Sequence, residues 1–87
     1  MNKEIETLRQ SIDVIEDKLI SLLNERAKCA IEIGKIKRTE ILPIVDKNRE
    51  ELILNRVAKK NMGPLSNKFM QDIFKRIIEE SVVMESE

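Results

Sequence analysis

Residues 22–30 read LLNERAKCA, and the placing of Arg26 within them decides the fold. Leu19 and Leu22 precede it, and Cys29, Ile33 and Ile36 follow it, at alternating three- and four-residue steps. That spacing puts side chains on one face of a helix. Arg26 stands where the rhythm requires an apolar residue. Traced outward, the same spacing begins at Ile5 and passes through Leu8, Ile12 and Ile15, with no proline before Pro43. One helix is therefore predicted over residues 3–38, about 50 Å long at about 1.5 Å per residue. Such a seam exceeds the width of a compact domain of 87 residues, so much of it would protrude.

Beyond the seam, TEILPIVD (residues 39–46) is a break. Pro43 disfavours helix at Leu42, and Asp46 is a good N-cap for a second helix over 47–61. Leu52, Ile53 and Val57 face inward on that helix, with Leu54 at the edge of the face. Asn61 or Gly63 can take a left-handed terminal position, and Pro64 ends the ladder. Ser66 then caps a third helix over 66–85, whose stripe is Phe69, Met70, Ile73, Phe74, Ile77, Ile78, Ser81 and Val82, reaching Glu85. No stretch alternates as a strand would. The expected fold class is all-α, one long and two shorter helices in a single domain over residues 1–87. The short helices can fold back along part of the long one, and a second copy of the chain is the simplest cover for the rest.

Composition narrows the function. Sixteen Lys and Arg balance sixteen Asp and Glu, so net charge does not point to nucleic acid or a membrane surface. Any electrostatic function rests on local placement. Cys29 is the sole cysteine and histidine is absent, which excludes an internal disulfide and leaves little for zinc. Cys29 itself reads as a small buried apolar residue. Only Phe69 and Phe74 are aromatic, too few for a base-stacking platform. With no signal peptide or membrane-length apolar run, a soluble cytoplasmic protein is expected.

Arg26 is not alone in breaking an apolar face. Lys37 follows eleven residues later, close to three turns and about 16 Å along the same side. On the third helix Ser81 and Glu85 are one turn apart and continue the face of Ile77 and Ile78. The guanidinium could reach solvent over its packed stem, or Arg26 and Glu85 could form a structural ion pair. The alternative is a pocket inside a helical bundle, lined by cations with a few carboxyl and hydroxyl groups and suited to a small anion. With no histidine and no nucleophile beside an evident base, catalysis there would be electrostatic rather than covalent.

Three motifs extend this reading: LRQSIDVIEDKLISLLNERAKCAIEIGKIK (8–37), PIVDKNREEL (43–52) and FKRIIEESVVME (74–85). In their order and spacing the sequence resembles the chorismate mutases of the all-helical class, over nearly its whole length. The resemblance implies an intertwined homodimer of three-helix chains with two equivalent sites. It further implies an isomerase that converts chorismate to prephenate without a cofactor or metal, on the route to phenylalanine and tyrosine. Carried over by motif, Arg9 enters the site from the other subunit, and Arg26 binds a substrate carboxylate. Lys37 contacts a carboxylate and the ether oxygen. Asp46, through its backbone, and Glu50 lie at the ring hydroxyl, with Arg49 in support. Ser81 lies near a carboxylate, and Glu85 hydrogen-bonds the ether oxygen. Arg26, Lys37 and Glu85 are thus the expected catalytic residues.

The spacing of the arginines bears on the dimer. Arg9 and Arg26 are seventeen residues apart, about 25 Å along one helix, too far to hold the same small molecule. If both line one pocket, one belongs to a second chain, and an antiparallel pairing of the long helices would bring them together. Two other functions fit the same residues. An isochorismate pyruvate lyase would use a similar cationic pocket, and a helical dimerisation or regulatory module would need no reaction.

Overall fold

The computed structural model describes residues 2–87 as three helices, α1 (Lys3–Glu40), α2 (Lys47–Lys60) and α3 (Asn67–Ser86). Each begins on a side-chain cap. Asn2 Oδ1 accepts from the Ile5 amide at 3.0 Å, Asp46 Oδ1 from Arg49 at 3.0 Å, and Ser66 Oγ from Phe69 at 3.1 Å. These bonds satisfy amides that a helix start leaves without intrahelical partners. The caps expected at Asp46 and Ser66 are both present.

The molecule is elongated, 58 × 24 × 15 Å, because α1 runs far beyond its companions. Helix α3 packs against both α1 and α2, while α1 and α2 do not pack directly on each other. Among the described residues the core is small. Ile53 and Val57 of α2 meet Ile78 of α3, with Leu54, Met70 and Phe74 partly buried around them. Gln71 Nε2 adds a bond from α3 to the Leu54 carbonyl at 3.0 Å. On α1, only Ala30 and Gly34 are buried.

Two packing expectations are corrected. Leu52 does not face inward but is largely exposed, since α3 covers the Ile53–Val57 face and leaves the neighbouring one open. Cys29 is exposed rather than buried, because α3 crosses α1 at Ala30 and Gly34 and leaves Cys29 at the edge of the crevice. The seam residues Leu8, Ile12, Ile15, Leu19 and Leu22 are each more than half exposed.

Of the two residues offered for the left-handed position after α2, Gly63 and not Asn61 takes it. Asn61 is extended and instead braces the α2–α3 turn, donating from Nδ2 to the Leu65 carbonyl at 2.8 Å and to Asn67 Oδ1 at 2.7 Å. Gly63 takes the positive φ of 76°. Helix α1 closes on Ile41 in the left-handed region, φ 55° and ψ 52°, with the Leu42 amide donating to the Lys37 carbonyl at 2.7 Å. A β-branched residue is poorly suited there, and the conformation costs an L-residue about 1–2 kcal/mol. The Ile41 side chain is 90% exposed, so packing within the chain does little to offset it. Ile41→Gly is expected to raise stability by about 1 kcal/mol, read as a thermal midpoint several degrees higher.

Candidate active site

The crevice bounded by α1, α2 and α3 contains a cavity of about 350 Å³, within the size range of small-molecule sites. Helix α1 contributes Arg26, Cys29, Ala30, Ile33 and Lys37 to its wall. The α1–α2 connection and the start of α2 contribute Ile44, Asp46, Arg49, Glu50 and Ile53, and α3 contributes Ile78, Ser81, Val82 and Glu85. Arg26, Lys37, Asp46, Arg49, Glu50, Ser81 and Glu85, proposed from separate motifs, thus line one space. Helical periodicity explains the convergence: Arg26, Ile33 and Lys37 share a face of α1, and Ile78, Ser81, Val82 and Glu85 share a face of α3. The rest of the lining is mostly apolar.

The polar contacts are specific. Arg26 donates from a terminal guanidinium nitrogen to Ser81 Oγ, and Ser81 Oγ in turn donates to the Ile77 carbonyl at 3.0 Å. Lys37 Nζ donates to the Ile44 carbonyl at 2.8 Å and lies 2.6 Å from Glu85 Oε1. The Lys37 and Glu85 side chains are only 17% and 12% exposed, so this is a shielded pair rather than a surface one. Glu85 Oε1 accepts no hydrogen bond of good geometry among the described residues, although the ammonium is close. The contact is an ion pair, and the same ammonium also holds the Ile44 carbonyl. The Arg26–Glu85 ion pair left open by the sequence is not formed: Lys37 is the partner of Glu85, and Arg26 reaches Ser81.

Charge is unevenly spread. Burial pushes the Arg26 guanidinium below its ordinary pKa, and the nearby cations Arg49 and Arg56 push the same way, opposed by Glu85. Desolvation and like charge both disfavour the cation, yet a guanidinium stays protonated at neutral pH. An entering anion would relieve that repulsion. Asp46 lines the cavity and spends its carboxylate on the cap of α2. Glu50 lines the cavity with its side chain 24% exposed and has Lys47 at 3.6 Å.

Arg9 is set apart. It sits near the start of α1 with its side chain 67% exposed, paired to Glu6 at 3.0 Å, and does not line the cavity. Sequence reasoning also missed a contributor, the Ile44 carbonyl on Lys37, because a backbone acceptor leaves no signature in residue type.

The sequence model of the family described as chorismate mutase type II matches residues 8–86. The chain belongs to the chorismate mutase type II family. Its backbone superposes on the chorismate mutase of Thermus thermophilus with a TM-score of 0.93 at 31% identity, covering 95% of this chain and 94% of that one. The Helicobacter pylori chorismate mutase, solved in complex with prephenate, gives a TM-score of 0.87 at 26% identity, covering 97% and 91%. A bifunctional chorismate mutase/prephenate dehydratase of Aquifex aeolicus is 36% identical over 80 residues, which are 92% of this chain and 22% of that protein. The chain spans about a quarter of the length of such bifunctional relatives. The three-helix, strand-free architecture is therefore that of type II chorismate mutases. No helix among the described residues is long and apolar enough to cross a membrane.

Proposed function

We propose that this chain is a chorismate mutase, forming prephenate from chorismate on the route to phenylalanine and tyrosine, and that residues 1–87 make one catalytic domain. The observation that carries this reading is the gathering of Arg26, Lys37 and Arg49 with Glu50, Ser81 and Glu85 around one cavity, in a chain of this family. The rearrangement breaks a carbon–oxygen bond while forming a carbon–carbon bond within one molecule. It needs no nucleophile and no proton transfer, only a compact substrate conformer and stabilisation of negative charge on the ether oxygen. Arg26, braced by Ser81, holds one carboxylate through its planar fork. Lys37 supplies a compact point charge for both a carboxylate and the ether oxygen. Glu50 and the Asp46 backbone receive the ring hydroxyl, with Arg49 in support.

The assembly we propose is a homodimer. The α1 seam from Ile5 to Leu22 is about half exposed or more at every apolar position, more contiguous apolar surface than a monomer of this size ordinarily shows. Antiparallel pairing with a second α1 would cover it and bring the second copy's Arg9 toward Arg26.

Purified protein supplied separately with chorismate and isochorismate tests the reaction. Prephenate from chorismate is expected; pyruvate release from isochorismate alone would favour the lyase, and no turnover in a folded dimer would favour a non-catalytic module.

Glu85 yields a pH prediction. Only its protonated carboxyl can donate a hydrogen bond to the ether oxygen. The charged groups around it are Arg26 and Lys37 from α1, and Asp46, Arg49 and Glu50 across the cavity. Glu85→Gln, whose amide donates at every pH, is expected to show a kcat less dependent on pH than the parent's. Identical pH–kcat profiles for parent and variant would refute this role.

A further inference from the structure

Gly34 lies inside a 38-residue helix, where glycine is the weakest helix former after proline. It is also buried. A Cβ added there would stand 2.6 Å from Cα and 2.8 Å from the carbonyl carbon of Glu85, with the Glu85 carbonyl oxygen nearer still. All three are main-chain atoms, so no change of rotamer makes room. One turn along α1, Arg38 donates from its guanidinium to the same Glu85 carbonyl oxygen at 2.7 Å. Lys37, beside Arg38, meets the Glu85 carboxylate.

We propose that Gly34 and Arg38 are positioning residues, which dock the last turn of α3 onto α1 and thereby set where the Glu85 carboxyl stands in the cavity. The inference rests on the reading of that cavity as a mutase site. Helix α3 ends one residue after Glu85, and no basic residue lies in its own last turn. A helix end leaves its last carbonyls without intrahelical partners. Arg38 supplies from the neighbouring helix the donor and positive charge that such an end favours. Gly34 supplies the close approach. A residue that breaks local helix propensity where it permits a functional contact is the pattern expected of a site under constraint.

The test compares Gly34→Ala, Arg38→Met, Arg38→Lys and Glu85→Ala, by kcat, KM and circular dichroism. Gly34→Ala should keep its helical signal while kcat falls about 100-fold, the scale of a displacement near 1 Å at a reacting centre. KM should move less than about threefold, since the effect is on the transition state. Arg38→Met should lower kcat about tenfold, with Arg38→Lys recovering most of it by keeping a donor and charge. Gly34→Ala added to Glu85→Ala should cost nothing more, because the group it positions is gone. Multiplicative losses in that double variant, or near-parental kcat in both Gly34→Ala and Arg38→Met, would overturn the proposal. Should Gly34→Ala not fold, Arg38→Met, which introduces no clash, decides alone. A parent without mutase activity sinks the reading of the site instead. Docking is then read from amide hydrogen exchange at residues 83–87, where faster exchange in the variants supports it and unchanged exchange overturns it.

Discussion

Lys37→Ala is expected to lower kcat by about 10²–10³-fold, the loss that follows removal of one well-placed donor from a developing oxyanion, about 2.7–4 kcal/mol. In the proposed mechanism Lys37 performs that task. Its ammonium lies 2.8 Å from the Ile44 carbonyl and 2.6 Å from Glu85 Oε1, with the side chain 17% exposed. Its charge is therefore little diluted by water. Removing one partner of a shielded ion pair also leaves the other unpaired, which destabilises the folded chain. Lys37→Ala combined with Glu85→Gln removes both charges and separates the two effects. A double variant that regains the parent's thermal midpoint yet remains slow assigns the kinetic loss to the missing ammonium. Lys37→Arg should recover little, because a planar fork does not reproduce a compact point charge. Near-normal turnover in Lys37→Ala would remove Lys37 from the mechanism.

The second large effect is a restoration. Arg9→Ala and Arg26→Ala homodimers should each be nearly inactive, while co-expression of the two chains should yield heterodimers with one working site. That site takes Arg26 from the Arg9→Ala chain and Arg9 from the Arg26→Ala chain. The opposite site lacks both arginines. Random pairing makes half the dimers mixed, so activity should return to about a quarter of the parent's. Within one chain Arg9 is paired to Glu6 and lies outside the cavity, so a purely intrachain mechanism predicts no return of activity. Unimpaired Arg9→Ala homodimers would dismiss Arg9 from the site.

Much of the architecture is legible before any coordinates. The apolar steps from Ile5 to Ile36 are a one-dimensional record of a helical face, and Asp46 and Ser66 mark helix starts because their side chains satisfy specific amides. What escapes is anything set by which neighbour covers a face. Leu52 and Cys29 are apolar and correctly spaced, yet α3 crosses elsewhere and leaves both exposed. For the same reason the candidate site is legible as a set of residues but not as a set of bonds. Arg26, Lys37, Ser81 and Glu85 stand out as polar interruptions. That Lys37 and not Arg26 partners Glu85 depends on the side-chain reach across a crossing point. Ile41 at positive φ is hidden because hydrophobicity says nothing about a backbone forced to turn before Pro43. Gly34 illustrates the limit best, since a missing side chain shows its purpose only when the neighbouring main chain is in view.

How this protein can be redesigned depends in part on the bond from Lys37 to the Ile44 carbonyl. A carbonyl oxygen is present whatever residue occupies position 44, so the identity of that residue can drift while the lysine keeps its anchor. Length cannot drift in the same way. Adding or deleting a residue between Ile41 and Val45 would present a different carbonyl, at a different depth, to an ammonium on a rigid helix. The connection between α1 and α2 acts as a ruler: tolerant of substitution, intolerant of insertion, and a poor place to graft a loop.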